Sequence, residues 1–339
     1  MEKGISAVVA TVLMLIITIA LASTAYMFVF GGFTTRISTA FSIVGAYEDM
    51  VTIRNEGTSA ITSLTSVTVD GEHVAYLLIP KDPSLIGYWM LDEGSGTTAA
   101  DSSGNGNTGT LYSGTVVCSG GNCPNWVDGK FGKALSFDGV DDYVEVPSST
   151  SLQITDDITV AAWIKMDSDG ATDQRVVLQK SGSYRLMIRH DPYRHIEVWL
   201  WLPEDDGMAT LVGGNPISYD WFHHVVFTRE KSTGIVKTYV DSIEQASISG
   251  KTSSIPVNTN PISIGKDWNE FDGIIDEVRI YNRALSAEEI KALYNMGGMI
   301  KPGQTGTIKL YPSSPLSKGL HTIKICTPSM CNTGYLTVV

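Results

Sequence analysis

Positive charge is scarce in this chain: 24 lysines and arginines stand against 36 aspartates and glutamates, a net charge of −12. No basic cluster is available to neutralise phosphates, which excludes a nucleic-acid partner. The acidic balance serves solubility. Several catalytic signatures are also missing. There is no H-E-x-x-H and no G-x-S-x-G, and the fragment Gly250-Lys251-Thr252 lacks the upstream glycine of a phosphate loop, where Gln245 stands. Charge of either sign is missing from Ile5 to Thr35. As a helix this run would reach about 46 Å, well beyond the roughly 30 Å of a bilayer's hydrocarbon core. It is too long for the apolar core of a secretory signal peptide, which spans only about 7–15 residues before its cleavage site.

The leader Met1-Glu2-Lys3-Gly4 runs directly into Ile5-Ser6-Ala7-Val8-Val9-Ala10-Thr11-Val12-Leu13. In this stretch the chain resembles the archaeal type IV pilins, including archaellin-like subunits. The resemblance implies a class III signal peptide of residues 1–4, cut between Gly4 and Ile5 by a prepilin peptidase. It further implies a hydrophobic helix over 5–34 that resides in the membrane before assembly and then packs into a filament of identical subunits. Val9 stands where bacterial type IV pilins carry a glutamate, which fits the archaeal branch. The plainer alternative is a single-span anchor. Lys3 against Arg36 is too small an imbalance to choose an orientation; the pilin resemblance places the leader in the cytoplasm and the bulk outside, at the cell surface.

Beyond Gly31-Gly32, where glycine favours helix termination or a hinge, the sequence reads as mainly β. Met50–Ile53 leads into the turn cluster Arg54-Asn55-Glu56-Gly57, Leu64–Val69 alternates, and Asp70-Gly71 is a hairpin signal. Between Ile86 and about Gly298 short strands, Asp-Gly and Gly-Asn turns and tryptophans dominate, the pattern of an all-β sandwich. One helix interrupts it: Ser286-Ala-Glu-Glu289 is a capping box, Ile290, Leu293 and Tyr294 form an apolar stripe, and Gly297 supplies the stop. Strand patterns return at 300–310 and 321–325. They resemble the closing strands of an archaeal pilin head, whose opening strands would be 41–80. The expected layout is a small pilin-type β-sandwich head split between 35–82 and 299–339, with a second domain, 83–298, inserted in one of its loops. Such insertions are tolerated where the two ends of the loop lie close together at the surface.

The inserted segment carries Gly87-Tyr-Trp-Met-Leu-Asp-Glu-Gly94, Asp101-Ser-Ser-Gly-Asn-Gly-Asn107, Gly129–Gly139, Asp141-Asp-Tyr-Val-Glu-Val146, Ala161-Ala-Trp-Ile164 and Ile275-Asp-Glu-Val-Arg-Ile-Tyr-Asn-Arg-Ala-Leu285. In this order these motifs resemble the laminin-G-like, concanavalin A-like jelly-roll domains. The resemblance implies two packed antiparallel sheets and, commonly, binding of a carbohydrate or glycoprotein. Fold alone does not settle function.

Within it, Asp101-x-Ser103-x-Asn105-Gly106 has the spacing of the first half of a calcium loop, with the Asn107 carbonyl as the next ligand. The twelfth position, where an EF-hand needs a bidentate glutamate, is Tyr112. A further carboxylate is therefore needed, and Asp276 is the candidate because it shares strand parity with Val278 and Ile280 and an inward carboxylate needs a partner. The alternative is an Asx-rich turn, with Asp276 bonded to backbone amides. Trp199 and Trp201 share one strand face, suited to sugar rings or to core packing; Trp221 is ambiguous between these roles. Trp89 and Trp163 fall in the family motifs and are expected in the core. His223 and His224 are adjacent on a strand, so they point to opposite faces and cannot jointly chelate.

The cysteines pair as Cys118 with Cys123 and Cys326 with Cys331, four residues between partners. Zinc sites favour tighter pairs such as C-x2-C, and in an exported protein two local disulfides are expected. Jelly-roll glycosidases need two flanking carboxylates, commonly Glu-x-Asp-x-Glu, and the nearest approach, Glu270-Phe-Asp272-Gly-Ile274, lacks the last acid. Catalysis is not expected. Three readings follow. The first is a filament subunit that works with the pilus assembly machinery and whose lectin-like domain serves adhesion. The second is a membrane-anchored carbohydrate-binding protein that does not polymerise. The third, disfavoured by the missing acids, is a glycan-cleaving enzyme.

Overall fold

The computed structural model describes residues 39–119, 123–167, 174–189, 194–203, 207–267 and 270–339. The leader 1–4, the Gly4–Ile5 cleavage position and the helix expected over 5–34 lie outside these residues. Among the described residues no helix is long and apolar enough to cross a membrane. Backbone contacts divide the chain into two units, one holding the residues up to Lys81 together with Met299–Val339, the other Asp82–Gly298.

The first unit is built of eight strands. Their order is Glu72–His73, Ser66–Val69, Gly319–Cys326, Cys331–Val338, Phe41–Tyr47, Met50–Asn55, Thr305–Tyr311 and Ala75–Pro80. Instead of the two sheets of a sandwich, hydrogen bonding joins all eight into one. The link is the parallel pairing of Phe41–Tyr47 with Cys331–Val338, registered at Tyr47 and Thr337. The Asp70-Gly71 turn has φ of 50° and 89°, the left-handed pair that a tight two-residue hairpin requires. Cys326 and Cys331 face each other in the register of the last hairpin and are disulfide-bonded. Val51, Ile53, Leu77, Ile308, Ile323 and Leu336 are fully buried and form the apolar interior.

The second unit stacks two antiparallel sheets. One runs Asn125–Asp128, Lys133–Asp138, Asp272–Tyr281, Ile158–Met166, His223–Glu230, Ile235–Val240 and Ile243–Ile248, with Leu85–Trp89 also on Asp272–Tyr281. The other runs Gly207–Gly213, His195–Leu202, Tyr184–Arg189, Gln174–Lys180, Ile262–Ile264, Asp142–Val146, Gly109–Ser113 and Thr98–Ala99. Alternate residues of both sheets, among them Val160, Ala162, Ile164, Leu186, Ile188, Val198 and Leu200, close a single apolar core, as period-two alternation requires. Cys118 and Cys123 are disulfide-bonded.

Ile158–Met166 is buried on both faces because the helix Ala287–Met296 covers its outer side: Trp163 stacks on Tyr294 with ring centroids 5.4 Å apart. That helix opens with the capping box of Ser286 and Glu289 and closes on Gly297 at φ 84°. Its start is clamped by Arg283, which pairs with both Glu289 and Asp82.

Candidate functional site

The strand His195–Leu202 turns Val198, Leu200 and Leu202 into the core. Alternation therefore sends Glu197, Trp199 and Trp201 to the outer face of their sheet. Register extends that face into a rung across the sheet. Thr110 lies opposite Glu145, Glu145 opposite Ser263, Ser263 opposite Gln179, Gln179 opposite Arg185, Arg185 opposite Trp199, and Trp199 opposite Thr210. Seven consecutive cross-strand neighbours are thus polar or indole, on the sheet whose other face is the apolar core.

At the aromatic end of the rung the Arg185 guanidinium lies 4.7 Å from the Trp199 ring centroid and 5.6 Å from that of Trp201. It donates to Gln179 Oε1 at 3.0 Å through Nη2 and pairs with Asp267. Burial lowers the Arg185 pKa from its ordinary value, and the Asp267 carboxylate opposes that shift. Trp199 Nε1 donates to Glu197 Oε1 at 2.7 Å. The second oxygen, Glu197 Oε2, is buried with no hydrogen-bond partner among the described residues. The two indoles sit 6.3 Å apart at 62° and are partly exposed. Flat apolar rings flanked by a fixed cation and a carboxylate acceptor suit a ligand with an apolar ring face and hydroxyl edges. Trp221 is elsewhere, 72% exposed on the loop leading into the strand His223–Glu230 of the other sheet.

The Asp101 loop is closed on itself. Asp101 Oδ1 accepts from the amides of Tyr88 and Ser103 at 3.0 and 2.9 Å, and Oδ2 from the Ser103 hydroxyl and the Asn107 amide at 2.9 and 2.8 Å. The Asn107 carbonyl accepts from Trp89 Nε1 at 2.8 Å, and the Asn105 and Asn107 side-chain amides reach back to the carbonyls of Leu85 and Ile86. The Asp101 carboxylate, the Ser103 hydroxyl and the Asn107 carbonyl thus all accept hydrogen bonds from within the unit, the bonding of an Asx turn that ties its first strand down.

Asp276 does not join that loop. Glu277 has φ 55°, and the register against Ile158–Met166 slips between Ala161 and Trp163, which lie opposite Arg279 and Asp276. The resulting bulge reverses the parity of the strand: Ile275 is in the core before it, Val278 and Ile280 after it. Asp276 therefore faces away from the core with Trp163, correcting the expectation drawn from uniform alternation. Its Oδ2 accepts from the amides of Lys130 and Phe131 at 2.8 and 3.1 Å, and Oδ1 has no partner among the described residues. Burial, helped by the Glu277 charge, raises its pKa well above the ordinary carboxylate range. Burial likewise pushes Glu277 up to about 7, while Arg279 and the Tyr88 hydroxyl oppose the shift.

Among the described residues, the one group of acids close enough to share a metal ion is Asp138, Asp141 and Asp142, with ligand atoms within 4.8 Å of one another. Asp142 is nearly buried, and burial together with the two neighbouring carboxylates pushes its pKa up to about 6. No local sequence motif marks this trio, because its members fall at the end of one strand, in the turn after it and at the start of the next. The two histidines do diverge: His224 is buried 5.2 Å from the Trp163 ring, while His223 bonds to Ser218 and Asp241.

Residues 138–291 match the family model of the concanavalin A-like lectin/glucanases superfamily. Among solved structures, domain 4 of AbnA, an extracellular arabinanase from Geobacillus stearothermophilus in complex with arabinotriose, is 22% identical. That match covers 62% of this chain and 98% of that one with a TM-score of 0.50. The binding domain of Paraclostridial Mosquitocidal Protein 1 is 17% identical over 62% of this chain and 52% of that one, also with a TM-score of 0.50. None of the curated proteins matches the chain. The unit Asp82–Gly298 therefore has a two-sheet jelly-roll fold, and its residues 138–291 resemble that superfamily.

Proposed function

We propose that this protein binds glycans through the outer face carrying Trp199, Trp201, Arg185 and Glu197, and that it does so at the cell surface as a subunit of an archaeal type IV pilus-like filament. The observation that carries the binding reading is the pair of partly exposed indoles held beside a guanidinium and a carboxylate on one sheet face. Apolar C–H faces of a sugar ring stack on the indoles, while ring hydroxyls donate to Glu197 and accept from Arg185. The filament role rests on the uncharged run from Ile5 to Thr35 and the leader before it. The surplus length of that run over a bilayer suits helix packing between subunits.

The role we propose for the face is binding rather than cleavage. Glycoside hydrolysis needs one carboxyl free to protonate the leaving oxygen and a second to act on the other side of the bond. Here Glu197 is held by the Trp199 indole and Asp267 by Arg185.

Calorimetric titration of the intact protein with a panel of oligosaccharides, starting with arabinotriose as in the similar arabinanase domain, tests the reading. Trp199→Ala is expected to weaken the tightest ligand at least about tenfold, the scale of losing one aromatic anchor, with Trp199→Phe retaining part of the affinity. Equal affinity in Trp199→Ala would overturn the assignment of the face.

A further inference from the structure

We propose that Ser218, His223 and Asp241 form an acyl-transfer triad in which Ser218 is the nucleophile toward an ester. Ser218 Oγ lies 2.7 Å from His223 Nε2, and His223 Nδ1 lies 2.7 Å from Asp241 Oδ2. A nucleophile within hydrogen-bond reach of a base that is itself oriented by a third group is the arrangement that activates a serine. The carboxylate fixes the tautomer. With Nδ1–H donating to Asp241, the Nε2 lone pair is left to accept the Ser218 proton.

The fold holds each member in place. Asp241 is the first residue of the tight turn between Ile235–Val240 and Ile243–Ile248, at φ 51° with Ser242 at φ 67°, a left-handed pair unusual without glycine. Its backbone amide donates to the His224 carbonyl, and its Oδ1 accepts from the His224 amide at 2.9 Å, leaving Oδ2 for His223. The His223 hydrogen bond and the His224 amide hold the Asp241 carboxyl below its ordinary value against the opposing effect of burial, so it is the anionic partner the triad needs. The segment carrying Ser218 is pinned on both sides: the Ile217 amide donates to Arg194 O, Arg194 Nε returns a bond to Ile217 O at 2.7 Å, and the Asp220 amide donates to Met166 O. Ser218 is exposed, whereas the His223 side chain is 17% exposed. The nucleophile thus faces solvent and the base is sheltered.

The surroundings suit an acyl substrate. The Arg194 guanidinium lies 4.6 Å from the ring centroid of Tyr219, the residue next to Ser218, and a cation on this side has the sign that favours a developing oxyanion. Trp221, three residues on, presents an exposed indole as a platform. The substrate class is an ester borne on an accessible group, such as the O-acyl ester of a sugar. In the reaction, Ser218 Oγ bonds to the ester carbonyl carbon as its proton passes to His223 Nε2. The carbon–oxygen bond to the alcohol then breaks, and the leaving oxygen takes that proton. Water repeats the sequence on the acyl-serine, releasing the carboxylic acid and restoring Ser218.

Labelling of the intact protein with a fluorophosphonate, followed by peptide mass mapping, tests the triad. Ser218 is expected to take the label, and heat-denatured protein to lose it. His223→Asn is expected to slow labelling by roughly 10²-fold or more, the scale of general-base assistance, and p-nitrophenyl acetate hydrolysis to fall in parallel. Comparison of native with denatured wild type reads the activation even if a variant fails to fold. Ser218 labelling no faster in the native protein than in the denatured one, or unchanged in folded His223→Asn, would overturn the proposal and leave a structural latch.

Discussion

At the scale of single residues, the environment of a side chain departs furthest from its sequence pattern where backbone geometry intervenes. Asp276 shares even parity with Val278 and Ile280, yet the left-handed Glu277 between them puts it on the opposite face. Sequence carries little trace of such a bulge, because glutamate is a poor marker for positive φ. Asp142 offers a direct test of a perturbed residue. Its pKa is raised to about 6 by burial and by Asp138 and Asp141, so between about pH 4 and 6 the native state holds a proton that the unfolded chain has lost. The native state binding more protons means that stability falls as pH rises through that window. Asp142→Asn is expected to remove this decline, worth roughly 1–3 kcal/mol, in urea unfolding followed across pH. Identical pH profiles for wild type and variant would contradict the assignment.

At the scale of elements, local signals were legible wherever a few adjacent residues define the geometry. The Ser286–Glu289 capping box, the Gly297 stop and the Asp70-Gly71 hairpin all take the conformation that their side chains prescribe, and each disulfide closes a loop within one short segment. The loop from Asp101 to Asn107 was legible only as two alternatives, because alternating oxygens serve an Asx turn and a cation equally until their hydrogen bonds are known. Its carboxylate accepts four of them, three from backbone amides. Asp101→Ala would orphan those amides and is expected to cost about 2–4 kcal/mol in chemical denaturation, equally with calcium or with a chelator. A loss confined to calcium-containing buffer would contradict the latch. The Ser218–His223–Asp241 grouping has no local sequence signature because its carboxylate comes from a hairpin turn 18 residues beyond the base.

At the scale of the whole molecule, the two-sheet jelly roll could be read from a series of turn and strand motifs, since alternation with glycine-rich turns specifies a sandwich. The first unit was less legible: the parallel pairing that turns its strands into one sheet rests on a contact between Tyr47 and Thr337, far apart in sequence and with no local signature. The proposed filament role makes its own prediction. Peptide mapping of the mature protein should find Ile5 at its amino terminus, and sheared surface filaments should contain it. Material that keeps Met1 and is found only in membranes would favour an anchored protein that does not polymerise.

The claim that the Trp199–Trp201 face is a glycan site is tested most directly by a crystal structure of the protein with the tightest-binding oligosaccharide of the panel. The account predicts a sugar ring stacked on Trp199, with hydroxyls bonded to Arg185 and Glu197. A sugar seated away from that face, or no oligosaccharide bound at millimolar concentration, would contradict it.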